Sequence, residues 1–324
     1  MGAIACGDGR DTQPQLAPVD STEVLAGVEF RHHTTQAAGL RWHWVDVGDP
    51  RDRPIVFVHG LPESWFSWHL QMADLAADRR VIAVDLKGYG QTEKPATGYG
   101  VEQVADELLQ LLDTIGLRRF DLVSHDWGTA IAQVMAAGHP ERIGRYARME
   151  GPVGRIDLEG RHPQFRTFQD QTVAVQILGN ATGFVRAVYG YGGRPGAVTV
   201  TPIPNAIIDR VAAEFARPGT AEAVARYFVE NPILDPAFWV RTSEIFPRMD
   251  FPVLLLQGER DPNQPQEYFD DAVTYFADAR LEFVPDTGHF LQLEQPLAVN
   301  VRLRAFFGLP AGCCGGSYGL AGPP

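Results

Sequence analysis

PIVFV, residues 54–58, is too short for a stable helix and apolar without alternation, which marks a strand buried on both faces. Such a strand needs covering layers on two sides, and the rest of the chain supplies them by alternating strand and helix patterns. VEFRHHT (28–34) and LRWHWVDVG (40–48) read as an opening pair of strands. After PIVFV come a helix over 65–75, a strand in RRVIAV (79–84), and VEQVADELLQLLDTIG (101–116). That last segment spaces its apolar residues by three and four and stops at Gly116, so it is a helix. A strand at 120–123, a helix at 127–137 and a strand at 143–149 follow. From 151 to 239 the alternation gives way to Gly- and Pro-rich turns and scattered helical stretches. It resumes with FPVLLLQG (251–258), a helix over 266–276, a strand in RLEFV (280–284) and a final helix at 296–307. The pattern predicts an α/β fold with a mostly parallel sheet flanked by helices. The middle stretch is expected to be a helical cap inserted after the sixth strand. It would lie over the strands' carboxyl ends, where such sheets bind ligands. The expected organisation is a loose tail at 1–26, a core made of 27–150 and 240–309, a cap at 151–239, and a second tail at 310–324.

Three side chains that can do chemistry stand just past expected strands: Asp126, Asp261 and His289. Singly, each has a structural explanation as a turn former, a helix cap or a packed loop histidine. Together they keep the chain order nucleophile, acid, histidine of the α/β-hydrolase triad, and the strand ends can bring them to one place. The serine of the usual G-x-S-x-G elbow is replaced here: SHDWG (124–128) puts Asp126 at the tip.

HGLPESWFSW (59–68), DLKGYGQTEKP (85–95), SHDWGTAIA (124–132), LLLQGERD (254–261) and PDTGHFLQLEQP (285–296) together resemble the epoxide hydrolase branch of the α/β hydrolases, relatives of the haloalkane dehalogenases. The resemblance covers about 27–150 and 245–308. It implies an epoxide hydrolase that opens its substrate to a vicinal diol through an aspartyl ester, with haloalkane dehalogenation as the alternative. The chemistry of Asp126 agrees with both. Attack of serine on a saturated carbon ends in an ether, whereas attack of a carboxylate ends in an ester that water can cleave. His289, oriented by Asp261, would activate that water. By resemblance the backbone N–H groups of Leu61 and Trp127 would hold the oxyanion, and His59 would buttress its loop. Epoxide opening also wants an acid from the cap, and Tyr227 in VARYFVENP is the expected donor. A second tyrosine is missing near QDQTVAVQILGN, where Gln176 could substitute; Tyr189 and Tyr191 come later. The Asn of the dehalogenase H-G-N-P motif is Leu61 here. Glu150, at the end of the 143–149 strand, is the alternative acid.

The net charge of −12 disfavours nucleic acid and anionic membrane as partners and suits a neutral apolar epoxide and water. No run of eighteen apolar residues predicts a membrane span, and no targeting pattern opens the chain. Cys6, Cys313 and Cys314 fit no zinc spacing and no disulfide framework, so a cytoplasmic location is expected. No cofactor or metal is implied: GYGGRPG (190–196) follows no strand and lacks nucleotide-loop spacing, and His32, His33 and His43 lack metal-ligand spacing and are read as structural or exposed. An esterase would need Ser124, two residues too early. A binding protein on this scaffold would need no triad. Homodimerisation is left open.

Overall fold

The computed structural model describes residues 19–154, 160 and 163–311. The three cysteines and the second tail beyond 311 lie outside that range. Nine strands form one sheet: β1 (Ser21–Leu25), β2 (Val28–Ala37), β3 (Leu40–Val47), β4 (Pro54–Val58), β5 (Arg80–Val84), β6 (Phe120–His125), β7 (Ile143–Met149), β8 (Val253–Gly258) and β9 (Ala279–Val284). Their order across the sheet is β1-β2-β3-β5-β4-β6-β7-β8-β9. The first three strands and the β3–β5 pair are antiparallel, and every pairing from β5 to β9 is parallel. β1 is an added edge strand within the segment expected to be a tail. The sixth of the expected strands is therefore the seventh in the chain.

β4, β5, β6 and β8 are buried almost throughout, as continuous apolar strands must be when helices cover both faces. The covering helices in the core are α1 (His69–Leu75), α2 (Val101–Thr114) and α3 (Trp127–Gly138). Between β7 and β8 the chain forms α4 (Gln171–Gly179), α5 (Ala181–Tyr189), α6 (Asn205–Phe215), α7 (Thr220–Glu230) and α8 (Pro236–Ser243). α8 runs past the expected boundary at 239. After β9 come α9 (Leu291–Glu294) and α10 (Pro296–Phe307). The helix expected over 266–276 is instead two 3-10 turns, Gln266–Phe269 and Ala272–Tyr275. They bury Phe269 and Ala272, while the adjacent acids Asp270 and Asp271 interrupt any continuous ladder. No helix among the described residues is long and apolar enough to cross a membrane.

Sheet register decides what meets at the carboxyl edge. Val58 pairs with Ser124, His125 with Met149, and Met149 with Leu256. Leu61, Asp126, Glu150 and Asp261 therefore leave the sheet from neighbouring strands within a few residues of paired positions, and the loop after β9 adds His289.

Candidate active site

The turn from β6 into α3 holds Asp126 at φ 50° and ψ −124°, outside the regions that L-residues favour. Such backbones cost about 1–3 kcal/mol and persist where packing enforces them. Here the enforcement is close approach. A Cβ on Gly60 would collide with the Asp126 side chain, and one on Gly128 would collide with the carbonyl oxygens of Val58 and His59. Two glycines thus let the β4 loop and the start of α3 close around the carboxylate. The Leu61 amide donates to Asp126 Oδ1 at 2.7 Å. His59, read as a buttress, is buried; its Nε2 accepts from Leu86 N at 3.0 Å, and its Nδ1 meets Gly60 O at 2.9 Å.

His289 Nε2 lies 3.4 Å from Asp126 Oδ2, and its Nδ1 lies 2.8 Å from Asp261 Oδ2. Asp261 Oδ1 accepts from Asn263 N at 2.7 Å. Burial would push the His289 value down, but the two carboxylates overcome it and hold the imidazole's pKa well above its ordinary value. Burial likewise opposes ionisation of Asp126. The His289 hydrogen bond and charge, His125 and the Leu61 N–H together bring it below the usual carboxylate value. Both directions favour the carboxylate–imidazolium form of the pair.

Beneath it, His125 ties three loops together. Its Nδ1 meets Glu63 Oε2 at 2.7 Å and its Nε2 meets the His289 carbonyl at 2.8 Å. Glu63 also accepts from Gly60 N at 2.7 Å and from Gln292 Nε2 at 2.6 Å. Sequence reading missed this support, although HGLPES and SHD held both residues in view.

A cavity of about 240 Å³ opens over Asp126, Glu150 and His289. Phe165, Phe168, Phe184, Phe228, Trp239 and Phe290 give it an aromatic wall. Phe168 stacks on Phe228 with centroids 4.8 Å apart.

Tyr227 is not brought to this cavity. Its hydroxyl donates to Lys87 O at 2.9 Å, and its side chain is fully buried between α7 and the loop after β5. The reason is helical phase. Asn231, one turn on, faces the same loop and bonds Val101 N and Tyr99 O, while Phe228, about 100° round the helix, faces the cavity. No tyrosine, serine or threonine is among the described residues that line the cavity. Tyr189 stacks on Phe290 at 4.1 Å, and Tyr191 bonds Asp209; neither lines it. Gln176 is also absent from the lining. Ser124 is buried against Thr129 and Tyr146. Trp127 does line the cavity, and its indole N–H has no acceptor among the described residues.

Glu150 leaves β7 at φ 46° and is fully buried, with Oε1 accepting from Gly258 N. Glu150, Asp261 and His289 place their donor atoms within 4.8 Å of one another, a spacing that could also ligate a cation. His289 Nδ1 is already committed to Asp261, and backbone amides occupy one oxygen of each carboxylate, so the three are read as an acid–base set.

The family model described as alpha/beta hydrolase fold matches residues 53–296. Epoxide hydrolase 2 of Caenorhabditis elegans is 24% identical over 289 residues, covering 86% of this chain and 80% of that protein. The solved structure of epoxide hydrolase CorEH without ligand superposes with a TM-score of 0.73 at 20% identity, covering 86% of this chain and 99% of the other. A loop variant of the haloalkane dehalogenase DbeA from Bradyrhizobium elkanii gives a TM-score of 0.73 at 22% identity, covering 86% and 96%.

Proposed function

The chain belongs to the alpha/beta hydrolase family, and from that premise we propose that this hydrolase opens epoxides to vicinal diols through an ester formed on Asp126. One observation carries the reading: a carboxylate, not a hydroxyl, occupies the strained elbow between the Leu61 amide and His289. Epoxide hydrolases among the similar proteins support the choice of substrate class.

In this reading Asp126 Oδ2 attacks a ring carbon from the cavity side, and the carbon–oxygen bond of the epoxide breaks. Trp127 N–H stabilises the emerging alkoxide. That alkoxide takes the proton of the His289 imidazolium, the cationic acid facing the cavity, which leaves a hydroxyalkyl ester and a neutral imidazole. Esterification also removes the Asp126 charge, so that only Asp261 still favours protonation of His289. The neutral imidazole then takes a proton from water as the water oxygen attacks Asp126 Cγ. The oxyanion forms against the Leu61 amide. Collapse expels the diol oxygen with a proton and restores the carboxylate and the imidazolium.

A single turnover in water labelled with heavy oxygen tests the scheme. The first diol should be unlabelled at its new hydroxyl, and the label should appear in Asp126. Label in the first diol would mean that Asp126 merely activates water. A second reading, haloalkane dehalogenation, draws on a Trp127 N–H without an acceptor and a cavity wall without hydroxyls among the described residues, because a leaving halide needs donors but no proton. Parallel assays of diol formation and halide release choose between them.

A further inference from the structure

We propose that Glu150 and Asp261 hold one proton between them, Glu150 as a neutral acid donating to the Asp261 carboxylate, so that Glu150 is a positioning residue for His289. The inference rests on the triad assigned above but not on the identity of the substrate. Its ground is geometric. Two carboxyl groups leave adjacent strands β7 and β8, both fully buried, with oxygens inside the same 4.8 Å cluster as His289. Two carboxylates so close and so dry cannot both be ionised at modest cost.

Hydrogen bonding says which one keeps the proton. Asp261 accepts from His289 Nδ1 and from Asn263 N, so both of its oxygens are supported as an anion. Glu150 accepts at Oε1 from Gly258 N, while its buried Oε2 has no donor directed at it among the described residues. A proton on Oε2 directed at Asp261 gives that atom a partner and removes the like-charge contact. Burial and then Asp261 push the Glu150 carboxyl well above its usual value, in the same sense. Among the described residues, the titratable groups facing Glu150 are Asp261 and His289. Arg148, on its own strand, spends its guanidinium on Gly151 O, Pro152 O and Gln133, and Gln264 donates to the Glu150 carbonyl.

The consequence is that His289 has one negative charge behind it, not two, and can lose its proton once Asp126 is esterified. The pair also holds a reserve. If Asp261 is made neutral, Glu150 loses the like charge that adds to burial in keeping it protonated, and attraction to the His289 imidazolium draws its ionisation in Asp261's place.

Carbon-13 NMR of the enzyme labelled at the glutamate side-chain carboxyl tests this without any substrate. The signal missing in Glu150→Gln identifies residue 150. At neutral pH it should lie at the protonated position in the unaltered enzyme and move to the ionised position in Asp261→Asn. An ionised signal in the unaltered enzyme, or no movement in Asp261→Asn, overturns the proposal whatever the enzyme hydrolyses. Should Glu150→Gln not fold, Glu150→Asp makes the same assignment. With an epoxide probe as a second readout, breakdown of the aspartyl ester should fall at least about tenfold further when Glu150→Gln is added to Asp261→Asn than when it is made alone. Equal losses in both backgrounds would mark Glu150 as merely structural.

Discussion

The carboxyl edge of the sheet and the helical insertion above it share one cavity but are built of opposite materials. At the edge, Leu61 donates to Asp126, Gly258 to Glu150 and His289 bonds Asp261, with His289 Nε2 3.4 Å from Asp126, and their strands are held by β-ladder register. The insertion contributes rings, with Phe165, Phe168, Phe184 and Phe228 lining the cavity, and uses polar groups to fasten itself to the core. Tyr227 bonds Lys87 O, Glu230 accepts from Tyr99 N at 2.7 Å, and Arg210 reaches Glu23 on β1 at 2.9 Å. The division suggests that bond making belongs to the sheet edge, while the insertion excludes water and shapes the apolar part of the substrate. Changes at the edge should therefore act on rate constants for chemistry, and changes in the insertion on binding.

The largest effect is expected at Asp126. Asp126→Ala should lose turnover by about 10⁴-fold or more with the fold intact, measured by diol formation and circular dichroism. Retained activity would remove the ester from the scheme. Next is His289→Gln, which keeps the nucleophile but loses both the acid for ring opening and the base for ester hydrolysis. Alkylation should slow and ester hydrolysis should slow far more, so intact mass should reveal an adduct that builds up gradually on the Asp126 peptide and decays very slowly; diol formed at steady state without any build-up of adduct would undo the two-step order.

The pH dependence separates the same steps. Asp126 is held below the ordinary carboxylate value, so alkylation should persist into acid until Asp126 itself takes a proton. Ester hydrolysis needs neutral His289, whose proton is held above the ordinary histidine value at rest and less firmly once Asp126 is esterified. Rapid-mixing measurements should show hydrolysis failing first as pH falls; simultaneous loss of both steps would contradict the separate roles.

The insertion should respond more mildly. Phe228→Leu is expected to lower kcat/KM for bulky aryl epoxides by about tenfold, chiefly through KM, with ester breakdown little altered. A large fall in the hydrolysis rate would breach the division of labour. Smallest is Tyr227→Phe. Removing its hydroxyl leaves Lys87 O unpaired and should cost about 1–2 kcal/mol of stability in denaturant unfolding. Alkylation should change by less than about threefold, well short of the effect of removing a donor at a developing charge.

Much of the sheet edge is legible in the sequence. Strand runs of four to eight apolar residues end at positions that local pattern alone can locate, and a parallel sheet gathers those ends on one edge. Asp126, Asp261 and His289 are found where chain order placed them, and β7 and α10 keep their expected bounds. Two residues were seen with less than their full setting. From sequence Glu150 reads as an alternative to Asp261, because the short distance between adjacent strands that brings the two together does not show in a sequence gap of more than a hundred residues. Tyr227 was placed on the right helix but on the wrong side of it. Sequence by itself determined the covering of the sheet, the order of the triad and the carboxylate at the elbow, since these follow from periodicities of two and 3.6 residues and from the valence of the side chains. Only the tertiary structure decided which face of α7 meets the cavity. A rotation of about 100° per residue exchanges Tyr227 for Phe228, and that phase is set by distant partners such as Lys87, Tyr99 and Val101.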